Sequence, residues 1–300
     1  MIPRERGFLL LTSHLGDPER RVLSYPQLRD LAAKVAAFPH ADAEGELSEA
    51  HLRQIGCSEE LSRRVLRLLG QEAELDWYLS RGKRQGCVPI PRIGADYPEL
   101  LLFRLRGEAP GCLWCRGDLQ LLGTPTVSLV GCRELGEENR LFAEAVGYQA
   151  ALQGLTLVSG NARGADRAAQ ESCLKAGGRV ISIVADQLTK WSPRENVLYL
   201  SEEDFDAPFT TQRAISRNRC IHAMGAMVFV AQANLERGGS WHGSVQNLRH
   251  GWSHVAVFQD GSEAAERLIQ MGAIPVSMED LKDFALLAQQ EQNFLLSDIL

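Results

Sequence analysis

The hydrophobic positions of this 300-residue chain follow two rhythms. Up to about residue 84 they recur at helical spacing: Leu28, Leu31, Ala32 and Val35 form one stripe, and Leu52, Ile55, Leu61, Val65 and Leu68 form others. Polar turns at Gly45 and Gly56 separate them, which predicts a small all-helical domain over 1–84. Within it, HLRQIGCSEELSRRVLRLL sets a short Ile-Gly turn between two helices, the layout of a compact helix-turn-helix pair. Residues 85–125 carry Pro89, Pro91, Pro98 and Pro110 and read as an extended lead-in. From Thr126 short β-rich runs (TVSLVG, LTLVS, RVISIV, VLYLS, AMVFVA, HVAVF, AIPVS) alternate with helical segments. This alternation predicts a Rossmann-like α/β fold, a doubly wound and mostly parallel sheet over 85–278, followed by a helical tail over 279–300. One connection stands out. Between Asn196 and LYLSEE there is no room for a helix, so that strand is expected elsewhere in the sheet or antiparallel, because parallel neighbours need about a dozen residues of crossover.

Composition narrows the functional classes. With 45% hydrophobic residues the chain can bury a substantial core, and no apolar run is long enough for a membrane span or a signal peptide, so a cytoplasmic globular protein is expected. Seven irregularly spaced cysteines point to reduced thiols. The single Cys112-Leu-Trp-Cys115 pair lacks a second ligand pair and the seven histidines form no triad, so neither a metal nor a cofactor is expected. A net charge of −6 argues against coating nucleic acid by bulk electrostatics, so any anion site must be local.

In doubly wound sheets ligands bind beyond the carboxyl ends of the strands, where helix N-termini present free N–H groups. The turns at that edge combine glycine with hydroxyl and guanidinium groups. The first offers Gly131 and Arg133; the second, LVSGNARGAD, offers Ser159, Gly160, Arg163 and Gly164, with Asp166 placed to cap the helix or fix the turn. The third offers Lys190 and Arg194, with Trp191 between them, and the fifth, ERGGSWHGS, offers Gly239 and Ser240, with Trp241 and His242 as stacking or core residues. In ISRNRCIHAMG, Ser216 reads as an N-cap that puts Arg217 and Arg219 around Asn218 in a helix's first turn. Cations there oppose the helix dipole unless an anion binds between them, so the turn reads as a phosphate clamp, with Arg213 one turn earlier extending it. The competing reading pairs Arg217 and Arg219 with Glu202, Glu203 or Asp204.

The order VSLVGCR, LVSGNARGAD, LTKWSPREN, ISRNRCIHAMG, preceded by YPELL and CLWCRGD, resembles the DNA-processing protein A (DprA/Smf) family over roughly residues 1–278. The resemblance implies a non-catalytic binder of single-stranded DNA, acting in DNA processing and recombination. It also implies a homodimer and a RecA-type recombinase as partner. Departures at Ser192-Pro193, Gln232 and Gly243-Ser244 mark a divergent member, expected to lack the C-terminal winged helix of many relatives. The alternative is a nucleotide-sensing or nucleotide-processing protein of the same superfamily. GGSWHGSVQN echoes the turn of the phosphoribohydrolases, but Asn247 stands near the place of their catalytic glutamate, so no hydrolysis is expected.

Overall fold

The computed structural model describes residues 1–38 and 47–288, so the turn expected at Gly45 lies outside the described residues. The chain opens with helices α1 (Pro3–Thr12), α2 (Tyr25–Ala36), α3 (Glu49–Gln54), α4 (Glu59–Leu69) and α5 (Glu72–Arg84). Ser58 caps α4, its hydroxyl accepting the Leu61 N–H at 3.2 Å, while Ser62, Val65 and Leu68 turn inward. On α2 only Leu31 is buried, and Val35, expected on the same stripe, is largely exposed. The helices divide between two cores. Leu23, Leu31, Leu52, Val65 and Leu68 form a small cluster of their own, whereas Leu9, Leu10, Leu75 and Tyr78 of α1 and α5 pack into the core of the sheet. Tyr78, Trp114 and Phe205 meet there with ring centroids 4.8–5.4 Å apart. Gly82 admits the contact, since a Cβ would sit 2.8 Å from the Trp114 ring.

The proline-rich stretch read as a lead-in is part of the sheet. It forms β1 (Val88–Pro91), α6 (Glu99–Leu105) and β2 (Cys112–Gly117). Pro89 and Pro91 are tolerated because β1 is an edge strand, paired only with β2, so a missing N–H interrupts no ladder. Then follow β3 (Thr126–Val130), α7 (Glu137–Leu152), β4 (Thr156–Ser159), α8 (Ala165–Lys175), β5 (Arg179–Ile183) and β6 (Val197–Ser201). Two short helices come next, α9 (Thr211–Ser216) and α10 (Asn218–Met224), before β7 (Met227–Val230), α11 (Gly238–His250), β8 (His254–Phe258), α12 (Glu263–Gln270) and β9 (Ile274–Val276). Of the tail expected over 279–300, Glu279–Lys282 forms a 3₁₀ turn and residues 284–288 are helical, with Phe284 tilted against Phe229 at 4.6 Å; the remainder lies outside the described residues.

The sheet has nine strands in the order β1-β2-β6-β5-β4-β3-β7-β8-β9. From β6 to β9 all neighbours are parallel, and β1 and β2 add an antiparallel edge. The expectation for VLYLS is therefore corrected: β6 lies beside β5 and parallel to it, and is antiparallel only to β2. The crossover from β5 runs through residues 184–196 with nothing more regular than a 3₁₀ turn, which is enough chain without a helix. The fully buried central strands read as continuous apolar runs because helices cover both faces. From β3 the chain winds outward to β6 and then restarts at β7 on the other side, which makes the β4-β3-β7 segment the topological switch point.

On one face α7 and α8 meet at Gly147, where a Cβ would overlap the Ala169 backbone. Gly147→Ala is expected to destabilise the protein by about 1–3 kcal/mol, the usual cost of overpacking, read as a lower urea midpoint at unchanged slope.

Candidate phosphate-binding site

The switch point gathers the ends of four elements. Beyond β3 lie Gly131 and Arg133; beyond β4 the Gly160–Gly164 turn leads into α8; α10 runs alongside, and α11 begins beyond β7. Two glycines make this crowding possible. A Cβ on Gly131 would overlap Ala165, and Gly164, at φ 89°, lies against the carbonyls of Cys132 and Arg133, so the N-terminus of α8 docks directly on the β3 turn. Asp166 sets the β4 turn from inside the helix, its Oδ2 accepting the N–H groups of Gly160 at 3.1 Å and Ala162 at 3.2 Å. Burial pushes its carboxyl pKa up, against the pull of the Arg217 guanidinium and of those two donors.

Arg217 is the centre of the arrangement. It does not sit in the first turn of a helix capped by Ser216. A helix already starts at Thr211, capped by Thr210, and Arg217 is the junction between α9 and α10. The Ser216 hydroxyl instead accepts from Arg219. The Arg217 guanidinium lies over Gly160, in space a Cβ would fill, and Nη1 donates to the Ile183 carbonyl at 2.7 Å while Nε has no hydrogen-bond partner. The side chain is buried. Desolvation lowers its pKa, Asp166 and Glu202 oppose that, and Arg133 adds to it, so a second guanidinium is close enough to repel the first. Next to it the Asn218 amide lies against Gly239 in the first turn of α11, and the Cys132 thiol after β3 donates to the Gln232 carbonyl after β7 at 3.4 Å. The GGS segment, expected as a turn, is the first turn of a helix, where backbone N–H groups have no intrahelical partner. Arg163 stands at the rim, exposed and 3.5 Å from the equally exposed Glu134.

Other expected members are placed elsewhere. Arg213 is buried and its two terminal nitrogens are engaged: Nη1 donates to the carbonyls of Ala185, Ala207 and Pro208 at 2.6–2.9 Å, and Nη2 to Ser201 Oγ at 2.9 Å. Glu203 lies 2.8 Å from its Nε, out of line with the N–H. Arg213 therefore clamps the ends of β5 and β6 and is corrected from phosphate ligand to structural residue. Arg219 forms an ion pair with the buried Glu202 at 2.8 Å and donates to the Glu108 carbonyl at 3.2 Å, which is the competing reading for this residue. Ser159 is fully buried and its hydroxyl accepts from Gln170 at 2.5 Å. Lys190 pairs with Asp186 at 2.8 Å. Arg194 is at the wrong end: it precedes β6, its carbonyl accepts from Val197, and the carbonyl of Asn196 two residues on accepts from Val180 at the start of β5, so it lies at the amino edge. Trp191 stacks on Tyr199 at 6.0 Å, and Trp241 is buried in the core. The sequence reading missed the Ile183 carbonyl as the anchor of Arg217, a backbone atom with no signature of its own.

Below the cradle lies a neutral network. His222, fully buried, faces the Asn247 amide at 3.2 Å through Nδ1, and Asn247 also bonds the Ser253 hydroxyl at 3.0 Å and accepts its N–H at 2.9 Å. Gly243 packs on the imidazole, where a Cβ would sit 2.7 Å from Nε2. Asn247 is consumed by this network and does not face the cradle. Burial pushes the His222 pKa down to about 3. Gln232, one of the departures, accepts the Gly136 N–H at 3.0 Å and so closes the start of α7. The seven cysteines are free, with Cys112 and Cys115 packed into cores on opposite faces of the sheet. Among the described residues no group of three or more His, Cys, Asp or Glu is placed to hold a metal, and no helix is long and apolar enough to cross a membrane.

A doubly wound, mostly parallel sheet with helices on both faces defines a Rossmann-like α/β protein. Over residues 90–286 the chain matches DNA recombination-mediator protein A, and it belongs to that family. It is 31% identical to protein Smf of Escherichia coli over 207 residues, 63% of this chain and 54% of that one. It is 28% identical to DNA processing protein DprA of Bacillus subtilis over 221 residues, 68% and 73% of the two chains. The match thus spans about half the length of the Escherichia coli relative. The crystal structure of DNA processing protein A from Streptococcus pneumoniae superposes with a TM-score of 0.65 at 26% identity, covering 86% of this chain and 97% of that one. The fold is also that of the Helicobacter pylori protein, with a TM-score of 0.55 at 24% identity, covering 71% and 96%.

Two outcomes are expected from the geometry. Arg213→Met should cost about 2–4 kcal/mol in chemical denaturation, because it strands three carbonyls and a buried hydroxyl. The His222 pKa is depressed in the folded state, so the unfolded chain takes up the proton first as the pH falls. The native protein should therefore lose stability relative to His222→Gln between about pH 6.5 and pH 3, at up to about 1.4 kcal/mol per pH unit, and the difference between the two should be constant above that window.

Proposed function

We propose that the chain is a non-catalytic binder of single-stranded DNA acting in DNA processing and recombination, and that the strand's phosphates enter the cradle at the switch point. The observation that carries this reading is the buried Arg217, held over Gly160 with an unpartnered Nε and facing the repulsion of Arg133. A phosphate between the two guanidinium groups would turn that repulsion into attraction on both sides, with the N-termini of α8 and α11 supplying further donors. Arg163 at the rim would follow the next phosphate. The Helicobacter pylori protein of the same fold binds single-stranded DNA. Binding without hydrolysis fits Asn247, which is locked into the His222 network where the phosphoribohydrolases use a carboxylate. A cytoplasmic homodimer and a RecA-type recombinase partner belong to the same reading.

Because Arg217 is buried, its removal would confound folding with binding; Arg133 and Arg163 are exposed and do not have that problem. Titrated by fluorescence anisotropy with a short oligothymidylate, Arg133→Ala/Arg163→Ala should bind at least about tenfold more weakly. The slope of log affinity against log salt should fall by about 1.4, for two lost phosphate contacts. Unchanged affinity would reject the site. A mononucleotide that binds as tightly as the strand, without salt dependence, would favour the nucleotide-sensing reading instead.

A further inference from the structure

The exposed face of α4 was not absorbed by the cradle. Arg63, Arg64 and Arg67 share it with Glu59 and Glu60, and with Arg21 these residues line a cleft of about 600 Å³. Arg63 is committed to Glu59 and Glu49. Among the described residues, Arg21, Arg64 and Arg67 have no carboxylate within ion-pair distance, and Arg64 Nε is buried without a hydrogen-bond partner. The cleft continues past Arg67 to Gln71 and the buried Arg20, and from there to Trp77. Arg20 is already held by the carbonyls of Ser13 and Leu10 and by Gln71, and Arg67 stands close enough to repel it. Asp17, Glu19, Glu59, Glu60 and Glu74 also border the groove and balance its arginines in number, but Glu59 is paired with Arg63, and Arg21, Arg64 and Arg67 are left without a carboxylate partner among the described residues. At its far end Trp77 is 57% exposed, with the Arg81 guanidinium 5.0 Å from its ring centroid. Guanidinium groups at one end and an open indole at the other are what a single strand requires, phosphates held by charge and a base held by stacking.

We propose that this groove is a second single-strand contact, sharing no residue with the cradle, in which Arg21, Arg64 and Arg67 hold phosphates and Trp77 stacks a base. The inference rests on the single-strand reading above and extends it to longer strands. A duplex cannot offer an unstacked base to Trp77, so it should bind the groove less well than a strand of equal length.

The test uses the full chain with a short oligothymidylate and with one of about 40 nucleotides, long enough to occupy more than one contact. For Arg64→Ala/Arg67→Ala, affinity for the long strand should fall about tenfold and its salt slope by about 1.4, with the short strand unaffected. The long strand should quench tryptophan emission in the native chain, and Trp77→Phe should abolish that quench; an unchanged circular-dichroism melt verifies folding in each variant. Unaltered long-strand affinity in Arg64→Ala/Arg67→Ala, or an undiminished quench in Trp77→Phe, would overturn the groove. Loss of short-strand binding confined to Arg133→Ala/Arg163→Ala would leave the cradle standing in that event. Loss of long-strand binding in Arg64→Ala/Arg67→Ala, with Arg133→Ala/Arg163→Ala indifferent to both strands, would support the groove and reject the cradle.

Discussion

The cradle depends on one buried positive charge. A guanidinium removed from water must be compensated by hydrogen bonds and opposite charge, and Arg217 receives only part of each. The Ile183 carbonyl holds one nitrogen, and Asp166 and Glu202 act on it electrostatically, but Nε has no partner and Arg133 repels from outside. Much of the surrounding architecture follows. Gly160 must lack a Cβ because the guanidinium occupies that space, and Asp166 must hold the Gly160 and Ala162 N–H groups so that the turn does not close over it. Gly131 and Gly164 must allow α8 to approach the β3 turn, or the cradle would lose one wall.

Arginines a few residues apart have three different fates. Arg213, at the last turn of α9, is drawn inward by carbonyls from the ends of two strands and serves as a clamp. Arg219, on α10, is neutralised by the buried Glu202. Arg217, at the junction of the two short helices, alone points toward the switch point. The break between α9 and α10 is what separates them; a continuous helix would have placed all three by its own period.

Much of the fold was legible before any coordinates. Apolar runs separated by helical stripes gave seven strands in their order, and a parallel sheet needs little more than this alternation. The prolines of β1 were misleading, since a missing N–H looks like a break in the chain and is harmless on an edge strand. The helical region was read as separate because periodicity within α1 and α5 cannot say what covers them; Tyr78 meeting Trp114 and Phe205 decides that they share the core of the sheet. In the site, the glycine turns and Arg217 could be located because strand ends are predictable. Ser159 and Arg194 could not be placed, since a hydroxyl facing Gln170 and a guanidinium at the amino edge look in sequence like a hydroxyl and a guanidinium at the carboxyl edge.

The sequence by itself determined the α/β alternation, the position of the glycine-bearing turns and the family. Each of these is encoded locally, in residues close together along the chain. Only the tertiary structure decided which arginines are spent on the protein's own carbonyls and carboxylates and which one is left over the glycine turn at the switch point. That choice is made by partners up to 111 residues away, as in the bond from Arg219 to Glu108, and a contact at such separation leaves no local mark on either residue.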